Sequence, residues 1–239
     1  MSDLLELAIA AHGGWERWQH INRLTAHIAV SGGLFHVKGW SDAYADIHAA
    51  IDTRRQHTEI SPFLKKGQHA VYEPDRTAIM ADGGEIIERR EAPRMFFAGQ
   101  VLMTPWDAQQ LIYFSGYALW TYLNTPFLFR SPRFQTEEVE PWDEDGEIWR
   151  RLKVVFPPEM HSHSTEQNFY FNAAGLLRRH DYSVEVIGGT RSANYASDHR
   201  SFGGLMFPTK RRVYTAGPDN KPIRDRPAIA IDILDIQPA

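Results

Sequence analysis

Apolar positions along the chain follow two rhythms. Near the start, Leu4, Leu5, Ala8, Ile9 and Ala11 recur at helical spacing; Gly13-Gly14 interrupts them, and Trp15, Trp18 and Ile21 resume the pattern briefly. This predicts a short helix pair that packs on something larger. From Asn22 the period is two. Leu24, Ala26, Ile28 and Val30 alternate with Thr25, His27 and Ala29, and Gly32-Gly33 turns the chain into Phe35 and Val37. A further run sets Ala43, Ala45, Ile47, Ala49 and Ile51 against Tyr44, Asp46, His48 and Asp52. Such alternation predicts strands with one buried and one wetted face, as in antiparallel sheets. Shorter runs near 54–60, 68–73, 76–81 and 84–90 are separated by Ser61-Pro62, Pro74-Asp75 and Asp82-Gly83-Gly84, the last a hairpin signal.

One helix interrupts this series, expected over 106–124. Thr104-Pro105-Trp106-Asp107 supplies an N-cap, a proline at the first helical position and an acid at the third, and Pro126 follows the end. Trp106, Tyr113, Tyr117 and Trp120 surround this helix rather than forming a stripe, so it should be covered on most sides. Glu137 to Glu147 holds seven carboxylates and no base, which reads as a solvated edge and turn. Strands resume at 147–156, 163–171, 176–187, 190–200, 208–215 and 228–236. With no repeat and no linker, residues 1–239 read as a single domain, mainly β with a minor α component (α+β) and a curved antiparallel sheet.

Composition changes this picture in three ways. Seven Trp, nine Tyr and thirteen Phe leave enough rings to build a core and to line a pocket as well. A formal charge of -4 carries no electrostatic footprint for nucleic acid. Cysteine is absent, which excludes disulfides, thiolate metal sites and a lipid-bearing N-terminal Cys. The apolar stretch Leu111 to Leu123 is too short for a membrane span, and Met1 to Glu6 lacks a signal-peptide pattern, so the expected location is the cytoplasm.

Three motifs carry a resemblance. They are Ala11-His12-Gly13-Gly14 with Trp15-Glu16-Arg17-Trp18, then Gly175-Leu176-Leu177-Arg178-Arg179, and Phe202-Gly203-Gly204-Leu205-Met206-Phe207-Pro208. With the order of elements, they resemble the LolA/LolB-like group of outer-membrane lipoprotein carriers. The resemblance implies a half-barrel, a strongly curved sheet with an N-terminal helix and the inserted aromatic helix packed on its concave side. It also implies a cavity for an acyl chain or hydrophobic small molecule, although a relative in violacein biosynthesis is a cofactor-free enzyme. Without the lipid-bearing cysteine, the expectation is a cytoplasmic relative that binds a hydrophobic ligand and inserts into no membrane.

The hairpin around Asn172-Ala173-Ala174-Gly175 carries the candidate chemistry. If Phe171 pairs with Leu176, one face collects His163, Gln167 and Phe169 from one strand and Arg178, His180 and Tyr182 from the next. Arg178 and His180 then stand among apolar neighbours, where a charge needs a partner; Asp232 is the candidate partner. Arg179 and Asp181 fall on the face read as solvent, and a bulge at Gly175 would exchange these neighbours. Two functions compete. One is a binding protein for a hydrophobic or aromatic ligand, anionic where Arg178 holds it, lined by Trp106, Tyr113, Tyr117, Trp120, Phe169, Gln167, His199 and Asp232. The alternative is a cofactor-independent enzyme using His180 or His199 as acid or base, Arg178 for developing negative charge and Tyr182 for positioning. Glu159, His161 and His163 at i, i+2 and i+4 suit a metal only on an extended segment, and a polar strand entry is the simpler reading; no metal or other cofactor is expected.

Overall fold

The computed structural model describes residues 2–239. Helix α1 (Asp3–Ala11) is capped by the Ser2 hydroxyl, and α2 (Trp15–Trp18) follows it, as the sequence predicts. A first meander then runs through β1 (Arg23–Ser31), β2 (Ile47–Asp52), β3 (Thr58–Ser61), β4 (Gln68–Glu73), β5 (Arg76–Ala81) and β6 (Ile86–Glu91). The alternation around Gly33 is misleading: Gly33–Val37 forms a one-turn helix, α3, and β2 begins only at Ile47. A second meander comprises β7 (Gln135–Glu144), β8 (Glu147–Val155), β9 (Glu166–Phe171), β10 (Leu177–Val184), β11 (Thr190–Phe202), β12 (Leu205–Thr215) and β13 (Ile229–Pro238).

All thirteen strands belong to one antiparallel sheet in the order β6-β5-β4-β3-β2-β1-β13-β12-β11-β10-β9-β8-β7. The first and last strands meet in its middle, with Leu24 opposite Pro238, so each meander grows outward from that seam. Strands β6 and β7 are the two free edges, and the sheet does not close into a barrel. This is the expected half-barrel. Most of the acidic run is β7 itself, an edge strand where the exposed carboxylates of Glu137, Glu138, Glu140 and Asp143 blunt further pairing, and the rest forms the turn into β8.

The segment between the two edges has to cross the mouth of the half-barrel, and it holds helix α4 (Ala108–Asn124), which packs closest to β2, β3, β4 and β5. Its N-cap is Asp107 rather than Thr104: the carboxylate accepts from the Gln110 amide at 2.9 Å, and the Gln110 side chain accepts from Asp107 N–H at 3.0 Å. Every residue from Gln109 to Asn124 is buried. A helix enclosed on all sides carries no amphipathic stripe, which explains its encircling rings.

Two glycines allow close approaches. A Cβ on Gly116 would lie 2.3 Å from Tyr72 Cβ on β4, so α4 reaches the sheet there only because no side chain intervenes. Gly116→Val is expected to lower stability by about 1–3 kcal/mol through overpacking; an unchanged urea midpoint would show that α4 does not sit against Tyr72. Gly13 adopts φ +114° with its α-carbon against Gly204, and the Met206 N–H donates to His12 C=O at 3.0 Å. Two of the motifs that carry the resemblance therefore meet where α1 abuts the β11–β12 turn.

Candidate functional site

The inner face of the sheet, under α4, is read most clearly through β9 to β13. Phe169 pairs with His180, His180 with Asn194, and Asn194 with Val213, which places all four on one face. One step along, Ala196, Arg211 and Ile231 form the next inward row. His180 and Tyr182 point inward, as the alternation predicts. His180 stacks on Phe169 with ring centroids 4.0 Å apart, and its Nε2 meets Gln167 Oε1 at 2.6 Å. Burial holds its pKa well below the usual histidine value.

His163 lies at the centre of a hydrogen-bonded ring cluster. Its Nδ1 is 3.1 Å from the Tyr117 hydroxyl and its Nε2 is 2.9 Å from that of Tyr122, while Tyr122 and Tyr182 hydroxyls are 2.8 Å apart. Tyr182 stacks flat on His163 at 3.9 Å. Desolvation lowers His163 to about 3 and raises Tyr122 to about 12, so both are neutral at physiological pH. The strand expected over 163–171 begins only at Glu166, and residues 159–165 are irregular. Glu159 is drawn out to Arg133, His161 meets Gln56 through its backbone, and His163 spends both nitrogens on tyrosines. Those three side chains do not converge on a metal.

Arg178 is the main correction. Leu177 pairs with Phe171, and Arg179 with Tyr170, so Arg178 is the extra residue of a bulge. The bulge lies three residues past Gly175 and leaves His180 and Tyr182 inward. It turns Arg178 to the outer face, over Trp149 at 5.5 Å and 3.6 Å from Glu147, about one-third exposed. Asp232 is not its partner; it pairs with Arg212 at 2.7 Å.

Arg179, assigned to solvent from the sequence, is completely buried on that outer face. Its guanidinium makes a double contact with Asp181 at 2.6 and 2.9 Å, meets Glu144 at 3.2 Å and donates to Asn220 C=O at 2.6 Å. Trp142, Tyr170 and Tyr195 surround it with centroids within 5.3 Å. Burial alone would lower its pKa, but the Asp181 hydrogen bonds and charge hold it above the usual arginine value. It is a fully satisfied structural cation.

The inward arginine is Arg211, which sequence reasoning passed over inside the run Lys210-Arg211-Arg212. Its side chain is 2% exposed, and no carboxylate among the described residues forms an ion pair with it. One Nη donates to Tyr122 C=O in the last turn of α4 at 3.3 Å, and its Cζ lies 4.7 Å from the Tyr122 ring. The other Nη has no partner. Desolvation lowers its pKa to about 10, which leaves it charged at neutral pH. Strand alternation carries the missed signal: Phe207, Thr209, Arg211 and Val213 share a face.

The remaining predicted lining residues are scattered around α4. Tyr113 accepts from Arg94 at 3.1 Å, Trp120 donates to Asp52 C=O at 2.7 Å, and Trp106 donates to Gln100 at 2.9 Å. His199 lies near His12, with centroids 6.1 Å apart. Beside Arg211, an almost wholly apolar void of about 20 Å³ is bounded by Val30, Phe35, Phe114, Tyr122, Ile229 and Ile231. It has room for about one water. A wider cleft of about 1020 Å³, bordered by Asp42, Asp46, Lys65 and Asp82, is open, of mixed charge and away from this interior.

No family model matches the sequence, and no curated protein matches it either. Solved structures do. A LolA superfamily protein from Nitrosomonas europaea superposes with a TM-score of 0.52 at 12% identity, covering 98% of this chain and 91% of that one. A domain from Vibrio parahaemolyticus named for outer-membrane lipoprotein sorting gives 0.55 at 8% identity with the same coverage. A DUF1329 family protein from Desulfovibrio piger gives 0.52 at 9%, again over 98% and 91%. The chain has the LolA-like half-barrel fold.

Proposed function

We propose that this protein binds a hydrophobic small molecule between α4 and the inner face of the half-barrel. The observation that carries the proposal is a helix buried on all sides, tied by loops to both free edges of an open sheet whose inner face is apolar. Ligand sites are concave, mostly apolar and equipped with a few placed polar groups. The interior under α4 has that character, with His163, His180, Tyr182 and Arg211 among the rings. The void of about 20 Å³ is the closed form of this site, and a ligand enlarges it by displacing α4 outward. Support comes from the segment leading into α4, where Met95, Phe96, Val101 and Met103 are all more than half exposed. Apolar side chains in water beside a moving helix suit an entry route.

Dodecanol should displace a fluorescent apolar probe from the protein in a saturable, single-site manner. Absence of saturable binding for probe and alcohol alike would defeat the proposal.

A further inference from the structure

We infer that the ligand is an amphiphile, an apolar tail ending in a single anionic group, and that Arg211 holds that group inside the half-barrel. The inference rests on the hydrophobic-ligand reading above and adds the chemistry of the ligand's head.

The argument starts from what buried cations require. A guanidinium has five N–H donors and a charge, and burying it without a carboxylate is strongly unfavourable. This chain shows how it satisfies a structural arginine: Arg179 has Asp181, Glu144 and Asn220. Arg211 has only one 3.3 Å bond to the Tyr122 carbonyl and the face of the Tyr122 ring. The C-terminal end of α4 offers partial negative charge there, which accounts for its position but leaves one Nη bare.

The surroundings point the same way. Asn194 lies two residues from Ala196, the cross-strand partner of Arg211, on the same face. It is completely buried, and its amide makes no well-formed hydrogen bond, although its side chain approaches the Tyr122 hydroxyl closely enough to act on it. The bare Nη of Arg211 and the loosely held Asn194 amide therefore face one interior. Tyr122, in contact with Arg211, and Ile231, its cross-strand neighbour, both wall the apolar void. A tail occupying that void after α4 shifts ends beside Arg211, where a carboxylate would accept from the free Nη and from the Asn194 amide. Charge-assisted hydrogen bonds of this kind are about twice as strong as neutral ones.

The test compares dodecanoate with dodecanol, which share a tail and differ in charge, on the wild-type protein and on Arg211→Met. Wild type should bind dodecanoate at least tenfold more tightly than dodecanol, and Arg211→Met should abolish that preference while still binding the alcohol. Equal affinity of wild type for both would overturn the anionic head and leave the hydrophobic site standing. Failure to bind either would bring down both readings. Should Arg211→Met not fold, carbon-13 NMR of carboxyl-labelled dodecanoate on wild type decides. A bound carboxyl that titrates below its free value supports the pairing, and one that titrates at or above it refutes the pairing.

Discussion

Replacing Arg179 by alanine is expected to lower stability by about 3–5 kcal/mol, the cost of breaking a buried ion pair by removing one member. The substitution leaves Asp181 buried without its double contact and takes from Glu144 one of its two cations, Arg224 remaining. It also empties the space between Trp142, Tyr170 and Tyr195. The neighbouring Arg178→Met should cost less than about 1 kcal/mol, because its one ion contact is long and partly solvated. Urea denaturation of the two variants tests the register directly. Comparable losses at both positions, or a larger loss at Arg178, would place the bulge elsewhere.

Acid should unfold the protein unusually early. Burial lowers His12 to about 4 and His163 to about 3, and His180 lies well below the ordinary value of 6.5. In the unfolded chain these side chains take up protons near pH 6.5; in the folded chain they resist. Their folded-state values are depressed, so their stabilising contribution is complete above pH 6.5 and is lost as the pH falls towards 4 and then 3. The slope reaches roughly 1.4 kcal/mol per pH unit for each such histidine. Stability should therefore drop by on the order of several kcal/mol between pH 6.5 and 4.5. Imidazole NMR at pH 5 should show His12 and His163 neutral. A stability profile that is flat down to pH 4.5, or a protonated His163 at pH 5, would contradict the packing of His163 against Tyr117, Tyr122 and Tyr182.

Much of the fold is legible in the sequence because period-two alternation survives wherever one face of a strand is buried and the other is wetted. β1 and β2 show it, and the unstriped ring-rich pattern of 106–124 correctly signals a helix covered on every side. The errors have local causes. Gly33 to Val37 alternates like a strand, yet five residues between glycines close a helical turn instead. Thr104 resembles a cap, but the capping box formed by Asp107 and Gln110 lies three residues later.

The site is only half legible. His180, Tyr182, Gln167 and Phe169 converge as the alternation predicts, because a bulge confined to Arg178 leaves later positions on their faces. Arg178 and Arg179 cannot be told apart from sequence, since one extra residue decides which of them meets Asp181. Nor does local patterning show that the outer face is itself covered there. Asn220 and Glu144 reach over Arg179 from distant parts of the chain. Arg211 was hidden by its basic neighbours, although Lys210 and Arg212 face the other way, towards Asp198 and Asp232.

The central claim is that a hydrophobic ligand lies under α4, and photo-crosslinking tests it most directly. A dodecanol analogue with a diazirine in its tail, irradiated with the protein and mapped by mass spectrometry, should label Phe114, Ala118 or Tyr122 on α4 and Ile229 or Ile231 on the facing strand, and excess dodecanol should suppress that labelling. Labelling confined to the outer face around Trp142 and Trp149, or labelling that excess dodecanol does not diminish, would contradict the account.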